Sequence, residues 1–401
     1  MGGHEPHLLD IELTTAGVPH ARYAVLRRST PVCWQEAPEA GGYWAILKHA
    51  DVQHVSKTPR LFSAEAKGMQ LVDYTAQLPT LLSLDPPRHT EIRRRVLHAF
   101  APRVVRRLEA RMREVVRASF ADVAEQASCD FVQDVVRPLP LAIVCELLGV
   151  PDEDRERVGV WADLLAGAAD PEIAQGGKTG TLGALEFGSY AFELAQKHAP
   201  GAGDDLLHVL RNAELEGEQV DLPTFCGLFV QIAIAGNETT RSTLVGGMLE
   251  LIRRPELYAA LEREPALIPG AVEEMLRWLS PVHYFRRTAL ADTEIRGQRI
   301  AAGERVAMLY ASANRDEEVF AEPERFDVRR DPNPHVAFGF GEHFCLGAAL
   351  GRLEARVFLE EFFRCFEGIA LAGEPVRLRS MDLHAWKRMP VQLRPRARSA
   401  A

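Results

Sequence analysis

The stretch HVAFGFGEHFCLGAALGRLEAR, residues 335–356, sets two glycines and three phenylalanines ahead of a single cysteine, Cys345. Gly339 and Gly341 permit backbone conformations and close approaches that a Cβ blocks. Phe338, Phe340 and Phe344 offer flat apolar surface. After Cys345 the run LGAALGRLEARVFLEEFF has helical spacing, which places the sulfur at or just before a helix N-terminus. Backbone N–H groups and the helix dipole there stabilise a thiolate. The pattern suits a cysteine sulfur held as an anion against a large flat partner. The plain alternative is a buried thiol beside a glycine-rich turn.

A second stretch stands out. From Asp221, an N-cap residue with Pro223 in the first turn, to about Arg253 nothing breaks a helix, which predicts a rod of about 50 Å. Its apolar run is interrupted by Gln231 and then by Asn237-Glu238-Thr239-Thr240, too early for a membrane span. A long helix that is apolar nearly all round belongs in the middle of a protein. Four consecutive polar residues at its centre then need a reason.

Phe338-Gly339-Phe340-Gly341-Glu342-His343-Phe344-Cys345-Leu346-Gly347 resembles the haem-binding signature of the cytochrome P450 family, F-G-x-G-x-[HR]-x-C-x-G, at every fixed position. The resemblance implies haem b with Cys345 as its thiolate axial ligand, a donor that favours O–O cleavage. It implies that His343 meets a haem propionate. His335 gets no such role and reads as a surface or structural histidine. Ala235-Gly236-Asn237-Glu238-Thr239-Thr240 is similar to the family's oxygen-binding segment, A-G-x-[DE]-T-[TS]. Small Ala235 and Gly236 then leave room for O2, Thr239 hydrogen-bonds the activated oxygen, and Glu238 relays protons. The plain alternative is a threonine bonded back to its own helix beside a satisfied buried glutamate.

Further matches supply the surroundings. DPPRHTEIRRRV implies His89 and Arg93 on haem carboxylates, and Arg287 matches the arginine for the other propionate, although its neighbour Arg286 can exchange roles with it. Glu274 and Arg277 match the family's E-x-x-R; three apart on a helix they share a face, and Arg325 of PERF fits the third place of a structural cluster. The match runs in order from about Pro31 to Pro395, which implies one haem-thiolate domain over residues 1–401. The implied fold is mainly α with a smaller β region, the long helix crossing over the haem.

The periodicity agrees in class. Helical spacing recurs near 88–100, 102–127, 138–148, 152–167, 184–198 and 204–213, and DVQHVSK reads as a helix start capped by Asp51. GYWAILK reads as a strand, and 287–309, broken at Gly297 and Gly303, as a small antiparallel sheet. AQGGKTGTLGALEFG, residues 174–188, reads as a mobile surface loop.

At 401 residues, 47% hydrophobic and 26% charged, the chain can bury a large core. A net charge of −9 argues against a general nucleic-acid binder. Between Arg93 and Arg117, however, nine arginines face two glutamates. They form either solvated helix faces or a docking patch for an acidic protein. Six scattered cysteines without a C-x-x-C pair indicate neither a zinc site nor a disulfide framework. The first thirty residues hold no signal or membrane anchor, so a soluble, cytoplasmic protein is expected.

The implied reaction is monooxygenation, with electrons from a separate ferredoxin or flavodoxin and its reductase docking near the arginines, Arg352 and Arg356 included. The segments most resemble bacterial hydroxylases of steroids, terpenoids and branched lipids. A lipophilic small-molecule substrate is then lined by Val72, Leu78, Leu81, Leu82, Ile232, Ala235, Val282 and Phe285, with His283 or Tyr284 bonding one polar group. The pocket should draw on segments 65–84 and 165–190. Two alternatives are a peroxide-driven peroxygenase on fatty acids, against which Glu238 and Thr239 count, and a non-enzymatic haem-thiolate sensor, which should carry an output domain.

Overall fold

A computed structural model describes residues 5–72, 78–174, 180–197, 206–215 and 217–396. Its axis is the helix Leu222–Ile252, about 46 Å long at 1.5 Å per residue. Asp221 caps it, its carboxylate accepting the Thr224 N–H at 2.9 Å, and Pro223 sits in the first turn where its missing N–H costs nothing. Buried residues occur all round this helix, as its apolar run requires. It packs against Pro138–Leu147, Arg155–Ala166, Gly180–Lys197, Ile268–Leu279 and Ala348–Cys365.

The last of these, the helix after Cys345, lies against the long arginine-bearing helix Pro102–Val123. Phe120, Phe131, Phe358, Phe362 and Phe366 join the two through edge-on and tilted ring contacts between 5.1 and 6.2 Å. Such pairs contribute about 1 kcal/mol each beyond area burial.

The β region is a five-stranded sheet in the order Val32–Gln35, Tyr43–Ile46, Arg305–Leu309, Tyr284–Ala289, Phe62–Ser63. The expected antiparallel element is present, Arg305–Leu309 running against Tyr284–Ala289. The sheet it joins is mixed, because the same strand pairs parallel with Tyr43–Ile46.

Two local expectations change. Asp51 is not the cap of its helix, which spans His49–Lys57 with Lys48 at the cap; Asp51 is buried in the first turn and pairs with Arg296 at 2.5 Å. The glycine-rich stretch expected as a loop is helix from Gly180 onward, while residues 175–179 lie outside the described residues. Its glycines serve close packing: a Cβ on Gly183 would stand 2.7 Å from Leu164 Cδ2 of the neighbouring helix.

Candidate active site

Between the middle of the central helix and the cysteine loop lies a cavity of about 200 Å3. One wall is the helix, presenting Gln231, Ile232, Ala235, Gly236 and Thr239; the opposite wall is Phe338, Gly339, Phe340, Phe344, Cys345, Leu346 and Gly347. Leu81, Leu82, Val282 and Phe285 close the apolar end. Arg93, Arg287, His343 and Tyr310 line it as well.

The loop is built by its glycines. Gly339 and Gly341 adopt φ of 71° and 68°, backbone that L side chains avoid. A Cβ on Gly341 would also meet the Ser56 carbonyl oxygen at 2.7 Å. The turn closes through Cys345 N–H to Phe338 O at 2.8 Å and Phe344 N–H to Gly341 O at 3.1 Å. The helix proper begins at Ala348, so the sulfur stands just before its N-terminus.

Cys345 is accessible and lines the cavity. Protein nevertheless surrounds it closely, and burial pushes its thiol pKa up; the Gly347 N–H and the charges of Arg93 and Arg352 oppose this without outweighing it. The helix terminus alone therefore does not make the thiolate that its position suggested. A positive charge facing the sulfur from the cavity would, since a coordinating thiol is deprotonated outright.

Two arginines and two histidines gather at one rim: Arg93, Arg287 and His343 line the cavity, and His89 lies behind His343. His89 and His343 stack with ring centroids 4.2 Å apart. Both ring nitrogens of His89, and Nε2 of His343, are buried without a partner. Arg287 is 5% exposed and donates only to the neighbouring Arg286 carbonyl, at 2.8 Å, and Arg93 donates to Phe344 O at 2.6 Å. Neither forms an ion pair with a carboxylate among the described residues, although the charge of Asp85 reaches Arg287. Burial and then the nearby Arg287 hold His343 down at about 2; burial and Arg93 hold His89 at about 4. Arg287 is a buried cation without an ion-pair partner among the described residues, which is costly, and an anion beside it would favour protonation of the unpartnered histidine rings as well, so this rim suits an anionic partner. A flat apolar slot, a facing sulfur and a cationic rim are the features a haem with two propionates needs.

Strand alternation separates the two adjacent arginines. Phe285 and Arg287 face the cavity, whereas Arg286 points to the other face and bonds the carbonyls of Gly68 and Leu71. Tyr284 goes with Arg286: it is 1% exposed, packs in a separate core, and accepts the Leu71 N–H at 2.9 Å. It does not line the cavity. Nor does His283, which is buried beside His384 at 5.7 Å. Val72 is half-buried away from the cavity, and Leu78 is exposed against the central helix at Gly227. Residues 73–77 of that expected pocket segment lie outside the described residues.

On the central helix, Thr239 lines the cavity and bonds back to Ala235 O at 2.8 Å. Glu238 does not reach it. The carboxylate is buried and paired with Arg241, with Ser242 Oγ at 3.4 Å. Arg241 continues to Asp163 at 2.8 Å, Asp163 to Arg137 at 3.1 Å, and Arg137 to exposed Glu156 at 2.9 Å. An unbroken line of ion pairs thus runs from Glu238 to the surface.

Behind the loop, Glu274 and Arg277 are both fully buried and joined by two bonds of 2.8 Å. The third member is Arg330, not Arg325. Arg330, 9% exposed, reaches the Glu274 carboxylate at 3.3 Å, while the Arg325 side chain is 61% exposed and pairs with Glu322. Arg325 contributes its carbonyl, which accepts from Arg277 at 3.0 Å. His335 is structural as expected, bonding Glu273 at 3.1 Å.

Among the cavity residues that sequence reasoning passed over, Gln231 and Glu354 carry polar groups. Gln231 was noted only as a break in an apolar run, although it stands four and eight residues before Ala235 and Thr239. Glu354, nine residues after Cys345, lines the cavity, is 2% exposed and bonds Thr240; burial raises its pKa to about 8.

Comparison with known proteins agrees with this geometry. The family model described as Cytochrome P450 matches residues 196–384. The chain is 37% identical to a methyl-branched lipid omega-hydroxylase of Mycobacterium tuberculosis, the match covering 98% of this chain and 95% of that protein. It is 35% identical to a steroid C26-monooxygenase of Rhodococcus jostii, over 95% of this chain and 83% of that protein. A linalool 8-monooxygenase of Pseudomonas putida is 34% identical over 98% and 99%. Among solved structures, a Mycobacterium marinum cytochrome P450 in complex with pseudoionone superposes with a TM-score of 0.89 at 35% identity, over 98% of this chain and all of that one. With relatives this similar along nearly its whole length, the chain belongs to the cytochrome P450 family of oxidoreductases.

Proposed function

We propose that the chain, acting as one haem-thiolate domain, binds haem b through Cys345 and hydroxylates a lipophilic small molecule of the steroid, terpenoid or branched-lipid class. The observation that carries this is the single cavity framed by Ala235, Gly236 and Thr239 on one side and Cys345 on the other, with Arg93 and Arg287, neither in an ion pair among the described residues, at its rim. When bound, haem supplies the redox chemistry, using two electrons to split O2, place one oxygen atom in a C–H bond and release the other as water.

The chain's own residues do the rest. Arg93, Arg287, His89 and His343 hold the two propionates. Leu81, Leu82, Ile232, Val282 and Phe285 desolvate the substrate and keep bulk water from the reacting carbon. Ala235 and Gly236 leave space for O2; a Cβ on Gly236 would press on Val144 at 2.9 Å, so a larger residue cannot settle there unopposed. Thr239 delivers a proton at its Oγ after turning from Ala235. Glu238 resupplies it once its carboxylate leaves Arg241.

Electrons come from an acidic ferredoxin or flavodoxin, itself reduced by its reductase. Of the nine arginines between 93 and 117, several are satisfied within the fold: Arg95 by Glu214, Arg111 by Glu114, and Arg113 and Arg117 by Glu361. Arg352 and Arg356 are likewise held by Glu273 and by Glu109 and Glu360. Exposed Arg94, Arg103 and Arg106 have no partner among the described residues and remain for docking. No helix among the described residues is long and apolar enough to cross a membrane, and the six cysteines are free thiols, which suits a cytoplasmic setting.

The test is turnover of steroid, terpenoid and branched-lipid candidates by the holoenzyme under 18O2 with a ferredoxin system. One 18O atom in the organic product supports the reading; oxygen derived from water, or no product from any class, overturns it.

A further inference from the structure

Resting on that reading, the cavity also says which end of a substrate carries oxygen. Gln231, Ala235 and Thr239 follow one another at four-residue spacing on the central helix and all line the cavity. Eight residues separate the first from the last, about 12 Å at 1.5 Å per residue. The wall around Gln231 is otherwise apolar: Leu81, Leu82, Ile232, Val282 and Phe285.

The orientation of the Gln231 amide is decided by its neighbour. Oε1 accepts the Leu81 N–H at 2.8 Å, a bond only the oxygen can make. Nε2, with two N–H groups, is then left without a partner among the described residues, and it is not among the sealed, unpartnered buried atoms. Other polar groups of the cavity are engaged or belong elsewhere. Thr239 bonds Ala235 O, Thr243 bonds Thr239 O, and Ser56 bonds Val52 O. Tyr310 lines the cavity near Arg287 at the rim; burial pushes its hydroxyl pKa up to about 12, with the Arg287 charge opposing.

We propose that Gln231 selects the substrate: its amide N–H, about 12 Å along the central helix from Thr239, donates to a hydrogen-bond acceptor on an otherwise apolar molecule. The ligand class is an elongated lipophile with a carbonyl, hydroxyl or ester oxygen at the end remote from the carbon that is oxidised. A pure hydrocarbon strips water from this donor and gives nothing back, so it binds more weakly. Gln231 is a specificity residue and not a participant in the oxidation.

Gln231 also braces Leu81, whose carbonyl accepts from His343 Nδ1 at 3.2 Å. A substitution that loosens this brace weakens all ligands alike. The readout is therefore a ratio within matched pairs: cholest-4-en-3-one against cholest-4-ene, methyl phytanate against phytane, and geranylacetone against its ketone-free hydrocarbon. Binding to the holoprotein is titrated by calorimetry for the wild type, Gln231→Met, and Gln231→Glu at alkaline pH; the glutamate keeps an oxygen for the Leu81 N–H and removes the donor.

In any pair that binds, the wild type favours the oxygenated member by roughly tenfold, the worth of one hydrogen bond, and both variants bring the ratio close to one. A wild type that does not discriminate, or discrimination that survives in both variants, overturns the proposal. Failure of all six molecules to bind overturns the lipophilic-substrate reading itself, and this inference with it.

Discussion

Replacing Arg330 by alanine should destabilise the protein measurably, and replacing Arg325 should not. Glu274 is fully buried and accepts from Arg277, the Asp327 N–H at 2.7 Å, Asn333 at 3.1 Å and Arg330 at 3.3 Å. Arg330 also donates to the carbonyls of Ala321, Glu322 and Arg325 at 2.6, 3.2 and 3.1 Å. Its removal takes one of two cations from a buried carboxylate and strands the Ala321 carbonyl, while those of Glu322 and Arg325 keep the Arg325 N–H and Arg277. Losing the sole partner of a buried charge costs about 3–5 kcal/mol. Because Arg277 remains, about 2–3 kcal/mol is the fitting figure here. At about 2.1 cal/mol/K per residue, a chain of 401 residues unfolds with an entropy near 0.8 kcal/mol/K, so Tm falls by roughly 3 °C. The exposed Arg325 side chain loses only surface pairs with Glu322 and Asp327, a few tenths of a kcal/mol and under about 1 °C. Scanning calorimetry of both variants at one scan rate measures the contrast. A drop for Arg325→Ala equal to or larger than that for Arg330→Ala refutes the assignment.

Three more perturbations follow from the cavity. Glu354 holds its proton up to about 8 in the fold against 4.5 as an ordinary carboxyl, so between those values the folded state binds the extra proton and stability falls as pH rises. Glu354→Gln removes that slope; the stability difference between variant and wild type should grow from pH 5 to 8, and a pH-independent difference refutes it. Arg287→Met should release haem to an acceptor apoprotein several-fold faster than wild type, because a propionate loses its buried counter-charge; equal rates contradict the role of the rim. Arg103→Glu with Arg106→Glu should raise the apparent KM for an acidic electron donor several-fold at low ionic strength while leaving the haem spectrum unchanged; an unaltered KM removes the docking assignment.

How much of this was legible beforehand depended on whether local physics dictates position. Asp221 and Pro223 mark a helix start by hydrogen-bond accounting alone, and the Gly339 and Gly341 turn needs conformations that few other residues adopt. The choice between Arg325 and Arg330 could not be made that way: both lie in an irregular segment without a repeating geometry, so which one turns inward depends on the path of the chain around Glu274. Tyr284 is a different case. Strand alternation sets it opposite Phe285, and applying that rule would have removed it from the pocket and separated Arg286 from Arg287. The glycines at 180 and 183 misled because glycine serves both flexible loops and close helix contacts, and only their neighbours, Ala168 and Leu164, decide between them. Glu238 looked free to relay protons, yet Arg241, one helical turn on, holds it; i,i+3 spacing made that pair readable.

The central claim is the bond from the Cys345 sulfur to haem iron, and absorption of the dithionite-reduced protein under carbon monoxide tests it most directly. The wild type should show the strongly red-shifted Soret band of thiolate ligation, and Cys345→Ser should lose it together with turnover. A serine variant that keeps both the band and the activity would contradict the account.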